Sequence, residues 1–313
     1  MNKALLSGFI KTEALRTGFA DCGIARAQHL SDEAERMEEW LSEGRQADMT
    51  YLERNKEKRY DPAKLVEGAR SVITVLYNYY PEKKLPEDDN YKISKYAYGK
   101  DYHYIVKQRL ARLLAAIETK TGKRKARLFV DSAPVLDRAW ARQSGLGFIG
   151  KNTMLIHKKK GSFFFIGHII LDLELDYDEA ETNNYCGSCT LCIDACPAGA
   201  LEPFRLDARK CISYLTIENR GEIDTRFKGK MNDWIFGCDI CQDVCPWNRF
   251  SSPHKEPLFD LQEELIRMKK KDWETLNNSR FKTLFKNSAV ERTGFKGMKR
   301  NIEFVAENAN FRH

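Results

Sequence analysis

Two stretches limit this chain more than any other: CGSCTLCIDACP, beginning at Cys186, and CDICQDVCP, beginning at Cys238. The first places Cys186, Cys189, Cys192 and Cys196 in the order C-x2-C-x2-C-x3-C-P. Such a run wraps three thiolates around one 4Fe-4S cube and sends the fourth to a second cube. Cys238, Cys241 and Cys245, followed by Pro246, repeat the last three positions, and Cys211, 27 residues upstream of Cys238, is the simplest source of the missing one. Crossed ligation then assigns Cys186, Cys189, Cys192 and Cys245 to one cluster and Cys196, Cys211, Cys238 and Cys241 to the other. Zinc is disfavoured because its thiolate pairs rarely come as triplets ending in Cys-Pro. No trio has the C-x3-C-x2-C spacing of radical enzymes. Disulfides suit exported chains, and the N-terminus MNKALLSGFIKTEALRTG shows neither an unbroken apolar stretch nor a small-residue cleavage site. The ninth cysteine, Cys22, has no partner nearby and reads as a buried thiol.

Two cubes carry single electrons and choose no substrate, so the acceptor belongs to the remainder of the 313 residues. Helical and strand-like patterns alternate there. Residues 2–17 read as helix, and a second helix starts at Asp32, with Asp32 and Glu35 as a capping box, and runs to Gly44. SVITVLYNYY (71–80) reads as a buried strand, 101–122 as a helix with Val106, Leu110, Leu113, Leu114 and Ile117 on one face. RLFVD, TMLIH and FFFIGHIILDLELD read as further strands, and VLDRAWARQS as helix. The expectation is an α+β protein: an α/β cofactor and substrate domain (1–178), a ferredoxin-like domain with two clusters (179–255) and a basic helical tail (256–313). The longest apolar run, FFFIGHIIL, is too short to span a bilayer. A cytoplasmic monomer with no membrane association is expected.

The stretch DSAPVLDRAWARQSGLGFIGKN holds G-x-G-x-x-G at Gly145, Gly147 and Gly150. A dinucleotide site needs a strand before the glycines and a helix after them. Here a helix precedes and a strand follows, so the nucleotide reading fails on context. Asp131, at the end of a strand, is a proton donor, a cofactor contact or an N-cap for the next helix. Arg138 and Lys151 are anion contacts or solvated charges, and His103 in YGKDYHY is a ligand, an acid or a packed ring. From residue 265 onward 12 Lys and Arg stand against 5 Asp and Glu, interleaved with Trp273, Phe281, Phe285, Phe295, Phe304 and Phe311. That mixture suits RNA, or a tail whose rings form their own core.

Taken in order, KYAYGKDYHYIVKQRL, VDSAPVLDRAWARQSGLGFIGKN, GSFFFIG, CGSCTLCIDACPAGAL, CISYLTIE and GCDICQDVCPWNR resemble the epoxyqueuosine reductase family, from about residue 20 to about 305. The resemblance implies reduction of the epoxide on the modified wobble base of tRNA to the cyclopentene of queuosine. It also implies cobalamin, fed by the two clusters, and an external flavodoxin- or ferredoxin-type electron donor. The D-x-H-x-x-G motif of other corrinoid proteins is absent, so cobalamin rests on the resemblance. By position Asp131 matches the family's proton donor and Arg54 a cobalamin-contacting arginine. Arg138, Lys151, Asn152 and Leu155 fall in or beside the pocket loop, the glycines shape its wall, and Ser213 and Tyr214 face cofactor or substrate. Longer members continue into a helical-repeat domain that helps to hold tRNA, where this chain has only its basic tail. The competing readings are a corrinoid reductase of a small molecule, such as a halogenated compound, and a cluster-only electron carrier.

Overall fold

The computed structural model describes residues 2–307. Its first half is built on a four-stranded antiparallel sheet in the order β1 (Asp21–Arg26), β2 (Ser71–Asn78), β7 (Phe164–Leu171) and β4 (Ala126–Val130). Strand β2 is buried along nearly its whole length because both faces are covered. Ile73, Val75 and Tyr77 meet helices α1 (Lys3–Arg16) and α4 (Tyr102–Thr121). Val72 and Leu76, one residue out of phase, meet α5 (Asp137–Gln143) and the chain after it. That two-residue alternation is what a strand between two layers requires.

Helix α5 is tied to the sheet at both ends by buried polar groups. His168 of β7, wholly buried, faces Thr74 Oγ1 at 3.0 Å through Nδ1 and Asp137 Oδ1 at 3.0 Å through Nε2. Ser144, just past the helix, donates to Thr74 Oγ1 at 3.2 Å. Beneath it Gly23 of β1 lies so close to the Ser144 backbone that a Cβ there would collide with it.

The second helix, α2 (Ser31–Ser42), starts one residue before the expected cap. Leu30 stands at its N-cap without a side-chain bond, and Asp32 and Glu33 favour the first turn by charge, so there is no Asp32–Glu35 capping box. The short helix α3 (Lys56–Tyr60) follows. TMLIH yields only β6 (Leu155–Ile156), paired with β5 (Phe148–Ile149) in a small hairpin after α5. The glycine string thus joins helix to hairpin.

The second core ignores the expected boundary at 178/179. Leu85, Tyr91, Ile93, Ala97 and Tyr98 pack with residues between 198 and 305. Strand β3 (Lys92–Ile93) runs parallel to β10 (Trp234–Phe236). The cysteine-rich segment also holds the small pair β8 (Leu201–Glu202) and β9 (Arg205–Leu206), with helices α6 (Leu191–Asp194), α7 (Ile212–Ile217) and α8 (Ile240–Asp243). Four helices close this half: α9 (Glu263–Arg267), α10 (Lys270–Glu274), α11 (Asn278–Leu284) and α12 (Gly294–Glu307).

Trp273, Phe281 and Phe285 are buried in that core, and Trp273 Nε1 donates to Asn90 Oδ1 at 2.8 Å. Phe295 and Phe304 pack against it half-buried. These rings are therefore structural, which corrects the expectation of aromatic stacking on RNA; Phe311 lies outside the described residues. Lys282, Lys286 and Lys296 remain exposed.

Candidate functional site

The eight cysteines of the 186–245 segment are free thiols and gather in two groups. Burial raises the Cys192 thiol, with Cys186, Cys245 and Cys189 adding like charge. Burial also raises Cys245, which feels Cys186 and Cys189. Cys211 is pushed up by burial with Cys196 beside it, and Cys238 by burial with Cys211 and Cys241 nearby. Cys241, likewise raised by burial, feels Cys211, Asp239 and Cys196, and also Cys192 of the other group. The neighbourhoods divide the thiols as the spacing argument does, with α6 against α8 between them. Among the described residues no three His, Cys, Asp or Glu side chains converge as a single metal ion needs.

Amide groups point at these sulfurs. Lys151 N–H donates to Cys186 Sγ at 3.4 Å and Ala200 N–H to Cys196 Sγ at 3.4 Å. The thiol of Cys211, the N-cap of α7, meets the backbone of Tyr214 and Ser213. Such donors stabilise thiolate, the form that binds iron. Lys151 Nζ reaches Gly187 O at 2.7 Å and Cys189 O at 3.0 Å, and Asn152 Nδ2 reaches Cys241 O at 3.0 Å. The loop after the glycine string therefore holds Cys186 and Cys189 of one group and Cys241 of the other.

On the other side of the sheet β4 ends at Val130 and Asp131 adopts a left-handed φ of 53°. Helix α5 starts only at Asp137, with Leu136 at its N-cap, so Asp131 is not a helix cap. The Tyr102 hydroxyl donates to Asp131 Oδ2, and His103 Nε2 lies 3.5 Å from the same oxygen. His103 is held in turn by Asp101, the N-cap of α4, whose Oδ1 accepts from His103 N–H at 2.9 Å and sits 2.6 Å from Nδ1. Stacking fixes the rings: Tyr102 lies on Phe165 at 4.0 Å and on His103 at 4.2 Å between centroids.

The Asp131 side chain keeps 63 % of its surface open although protein surrounds it, as in the floor of a cleft. Burial works to raise its pKa. Hydrogen bonds from His103 and Tyr102, and the charges of His103 and Arg292, outweigh burial and leave the carboxyl below its ordinary value. The complementary shift falls on His103: burial opposes its charge, but Asp101 and Asp131 prevail and raise it to about 9. The proton of this pair rests on the imidazole.

Arg138, the second residue of α5, lies within electrostatic reach of Asp131 and donates to the carbonyl and the hydroxyl of Thr153. Crowding by protein lowers its pKa, and no carboxylate bonds it among the described residues. Arg59 of α3 was not singled out by sequence. Its Nη2 donates to Tyr51 O at 3.1 Å, while its buried Nε has no hydrogen-bond partner among the described residues. A half-buried arginine with an enclosed, idle Nε and no ion pair among the described residues is a signal only a structure can give. Arg54, three residues past Tyr51, is exposed with no partner among the described residues.

Two of the expected pocket residues, Leu155 and Tyr214, serve the protein's own packing. Leu155 is buried with Leu76, Ala141 and Leu146, so its side chain belongs to the core. Tyr214 is buried, and its hydroxyl donates to Asp48 Oδ2 at 2.8 Å and accepts from Asp48 N–H, which pins the 45–53 loop. Ser213 is half-buried beside Cys211. The glycines also serve the protein's own packing: a Cβ at Gly145 would meet Glu179 O at 2.7 Å, and one at Gly147 would strike Ile156 O. They let the hairpin fold back on the chain.

Comparison with known proteins follows this geometry. Residues 185–248 match the family model described as 4Fe-4S double cluster binding domain, and residues 59–132 match that of epoxyqueuosine reductase QueG, DUF1730. The curated epoxyqueuosine reductase of Cellulophaga algicola is 53% identical over 300 residues, covering 96% of this chain and 97% of the relative. That of Pseudomonas aeruginosa is 37% identical, covering 98% and 86%. The crystal structure of epoxyqueuosine reductase with a tRNA-Tyr epoxyqueuosine-modified tRNA stem loop superposes with a TM-score of 0.88 at 28% identity, covering 99% of this chain and 84% of that one. Among the described residues no helix is long and apolar enough to cross a membrane.

Proposed function

The chain belongs to the epoxyqueuosine reductase family, and from that premise we propose that it reduces the epoxide of epoxyqueuosine at the wobble position of tRNA to queuosine. In this reading electrons pass through two 4Fe-4S clusters to cobalamin, and Asp131 delivers a proton. The observation that carries it is the setting of Asp131: a carboxylate with a proton-bearing neighbour, Arg138 within its electrostatic reach and bonded to no carboxylate among the described residues, and a loop after the glycine string that contacts both cysteine groups.

Those residues fit cobalamin. Its phosphodiester is an anion, and Arg138, bonded to Thr153 and to no carboxylate among the described residues, and the exposed Arg54 offer guanidinium donors for one. When bound, cobalamin supplies a low-potential centre that takes up single electrons and passes them to carbon. The chain's own residues do the rest. Cys186, Cys189, Cys192 and Cys245 lie on the more exposed segment and suit the entry of electrons from an external flavodoxin- or ferredoxin-type donor. Cys196, Cys211, Cys238 and Cys241 lie deeper, and Cys241 borders both groups, which suits onward transfer. Thr153 aims Arg138, and Tyr102 fixes Asp131 Oδ2. Breaking a carbon–oxygen bond needs protonation of a poor leaving group, the task of a positioned acid. The exposed Lys282, Lys286 and Lys296 suit contact with the tRNA backbone.

The test is anaerobic reconstitution with iron, sulfide and cobalamin, then single turnover on a tRNA stem loop carrying the epoxide. About eight iron, as two cubes require, with one cobalt and loss of one oxygen from the base are expected. Iron at that level with no cobalt retained refutes the reading and leaves a cluster-only electron carrier.

A further inference from the structure

Removing an epoxide oxygen needs more protons than one carboxyl holds. Opening the ring breaks one carbon–oxygen bond, and the oxygen takes a proton to become a hydroxyl. Expelling that hydroxyl breaks the second bond, forms the carbon–carbon double bond and releases water, which takes another proton. The two electrons come, one at a time, from the low-potential carrier that charges the clusters. Each turnover therefore consumes two electrons and two protons, and Asp131 can bring one proton before it must be recharged.

The cleft contains a residue placed to recharge it. Resting on the functional reading above, we propose that His103 is a positioning residue that stores a proton behind Asp131 and passes it on, so that the pair delivers both protons of a turnover. The geometry carries this. Both ring nitrogens face carboxylates, Nδ1 toward Asp101 Oδ1 at 2.6 Å and Nε2 toward Asp131 Oδ2 at 3.5 Å. An ionised carboxylate only accepts, so the doubly protonated ring is the one form that serves both sides. Asp101 is itself fixed by capping α4, and Tyr102 grips the same Asp131 oxygen that His103 faces. The 3.5 Å gap is longer than a good hydrogen bond, as is common before substrate closes a site. His103 keeps 31 % of its side chain exposed, so protons reach it from solvent.

The other charged and titratable groups around the pair act on it from the remaining sides. Arg292, paired with Glu218 at 2.9 Å, contributes positive charge at Asp131. Tyr51 and Tyr96 lie within electrostatic reach of Asp131, and burial raises both hydroxyls, so they stay neutral. None of these groups replaces Asp101 as the anchor of Nδ1. In the order of events the Nε2–H proton of His103 passes through Asp131 to the epoxide oxygen, solvent recharges the ring, and the same path supplies the second proton.

The experiment uses the full cluster-loaded chain and two readouts. Diethyl pyrocarbonate attacks neutral imidazole only, so its rate at His103, read by peptide mass against pH, reports the ring's protonation without any turnover. A midpoint near pH 9 is expected in the native chain, moving toward the ordinary histidine range near 6.5 in D131N. Single-turnover rates with epoxide-bearing stem loop are then measured against pH. The native rate should hold through neutrality and fall as pH rises through the same midpoint. H103Q should lose about 10²-fold, the lower end for a proton-transfer group, with unchanged stem-loop affinity and no alkaline fall. A packing role would lower the rate without moving the profile, which sinks the relay; so does rapid modification of His103 at pH 7, or a native rate and profile in H103Q. A native enzyme with no turnover refutes the functional reading itself and the relay with it, whereas turnover with an unmoved profile refutes the relay alone.

Discussion

Substituting Lys95 by Met tests the electrostatics that hold the second cysteine segment. Lys95 Nζ is buried and lies 2.6 Å from Asp243 Oδ1 and 3.3 Å from Asp239 Oδ2. The two aspartates bracket Cys241, so this ammonium braces a loop that bears three of the eight thiols. Asp239 is 1% exposed, and Ser94 Oγ and Lys95 N–H also donate to it. Removing one partner of a buried ion pair costs about 3–5 kcal/mol, because the other charge stays buried. The two surviving donors, and Asp243 standing 42% open, place K95M at the lower end, about 3 kcal/mol. At roughly 2–4 °C per kcal/mol for chains of 150–250 residues, and somewhat less for this longer one, the melt should drop by about 5–10 °C. The assay is thermal unfolding of cluster-loaded protein at one scan rate, for K95M, D239N and the double variant. Removing both charges should be milder than the sum of the single losses, with a coupling of about 2 kcal/mol. Additive losses within about 0.5 kcal/mol would refute the buried pair as the brace.

Other outcomes are expected. Cys211→Ser should lower iron from about eight to about four per chain on anaerobic reconstitution, with a single cluster signal in paramagnetic resonance; retention of all eight would remove Cys211 from the ligand set. Trp273→Ala should cost about 3–5 kcal/mol, read as a lower melting temperature. A loss under about 1 kcal/mol would contradict its place in the core. Reversing Lys282, Lys286 and Lys296 to Glu should weaken tRNA binding and flatten its salt dependence by a slope of about 0.9 or less for each phosphate no longer neutralised. An unchanged slope would show that the tRNA does not touch this face.

The sequence exposed what repeats at fixed spacing and hid what depends on distant partners. Cysteine intervals foretold how the thiols gather, because a short loop around a cube leaves few choices. Strand β2 and helix α4 were readable from their apolar periodicity. The glycine string was rightly refused as a nucleotide fingerprint, since α5 precedes it. The close approaches that require its glycines, of Gly145 to Glu179 and of Gly147 to Ile156, are announced by no local pattern. Leu155 and Tyr214 went astray for the same reason, each packing against residues far off in sequence. Arg59 and His103 gained meaning only when Tyr51, Asp101 and Asp131 were seen beside them. The tail's charge was visible, but whether its rings face water or a core depends on Asn90 and other residues some 180 positions earlier.

The pairing of β3 with β10 has a consequence for how the chain is made. Lys92 N–H donates to Asp233 O at 2.7 Å and Ser94 N–H to Phe236 O at 2.8 Å, so a growing polypeptide must lengthen by about 140 residues before that ladder closes. Until then Tyr91, Ile93, Ala97 and Tyr98 have no mates, and this apolar stretch is exposed to chaperones and proteases. A nascent chain released at the 178/179 seam would keep its first sheet yet carry a sticky flap that nothing covers. Complementation of a 1–178 fragment by the 179–313 remainder should therefore depend on mixing the two before either has aggregated.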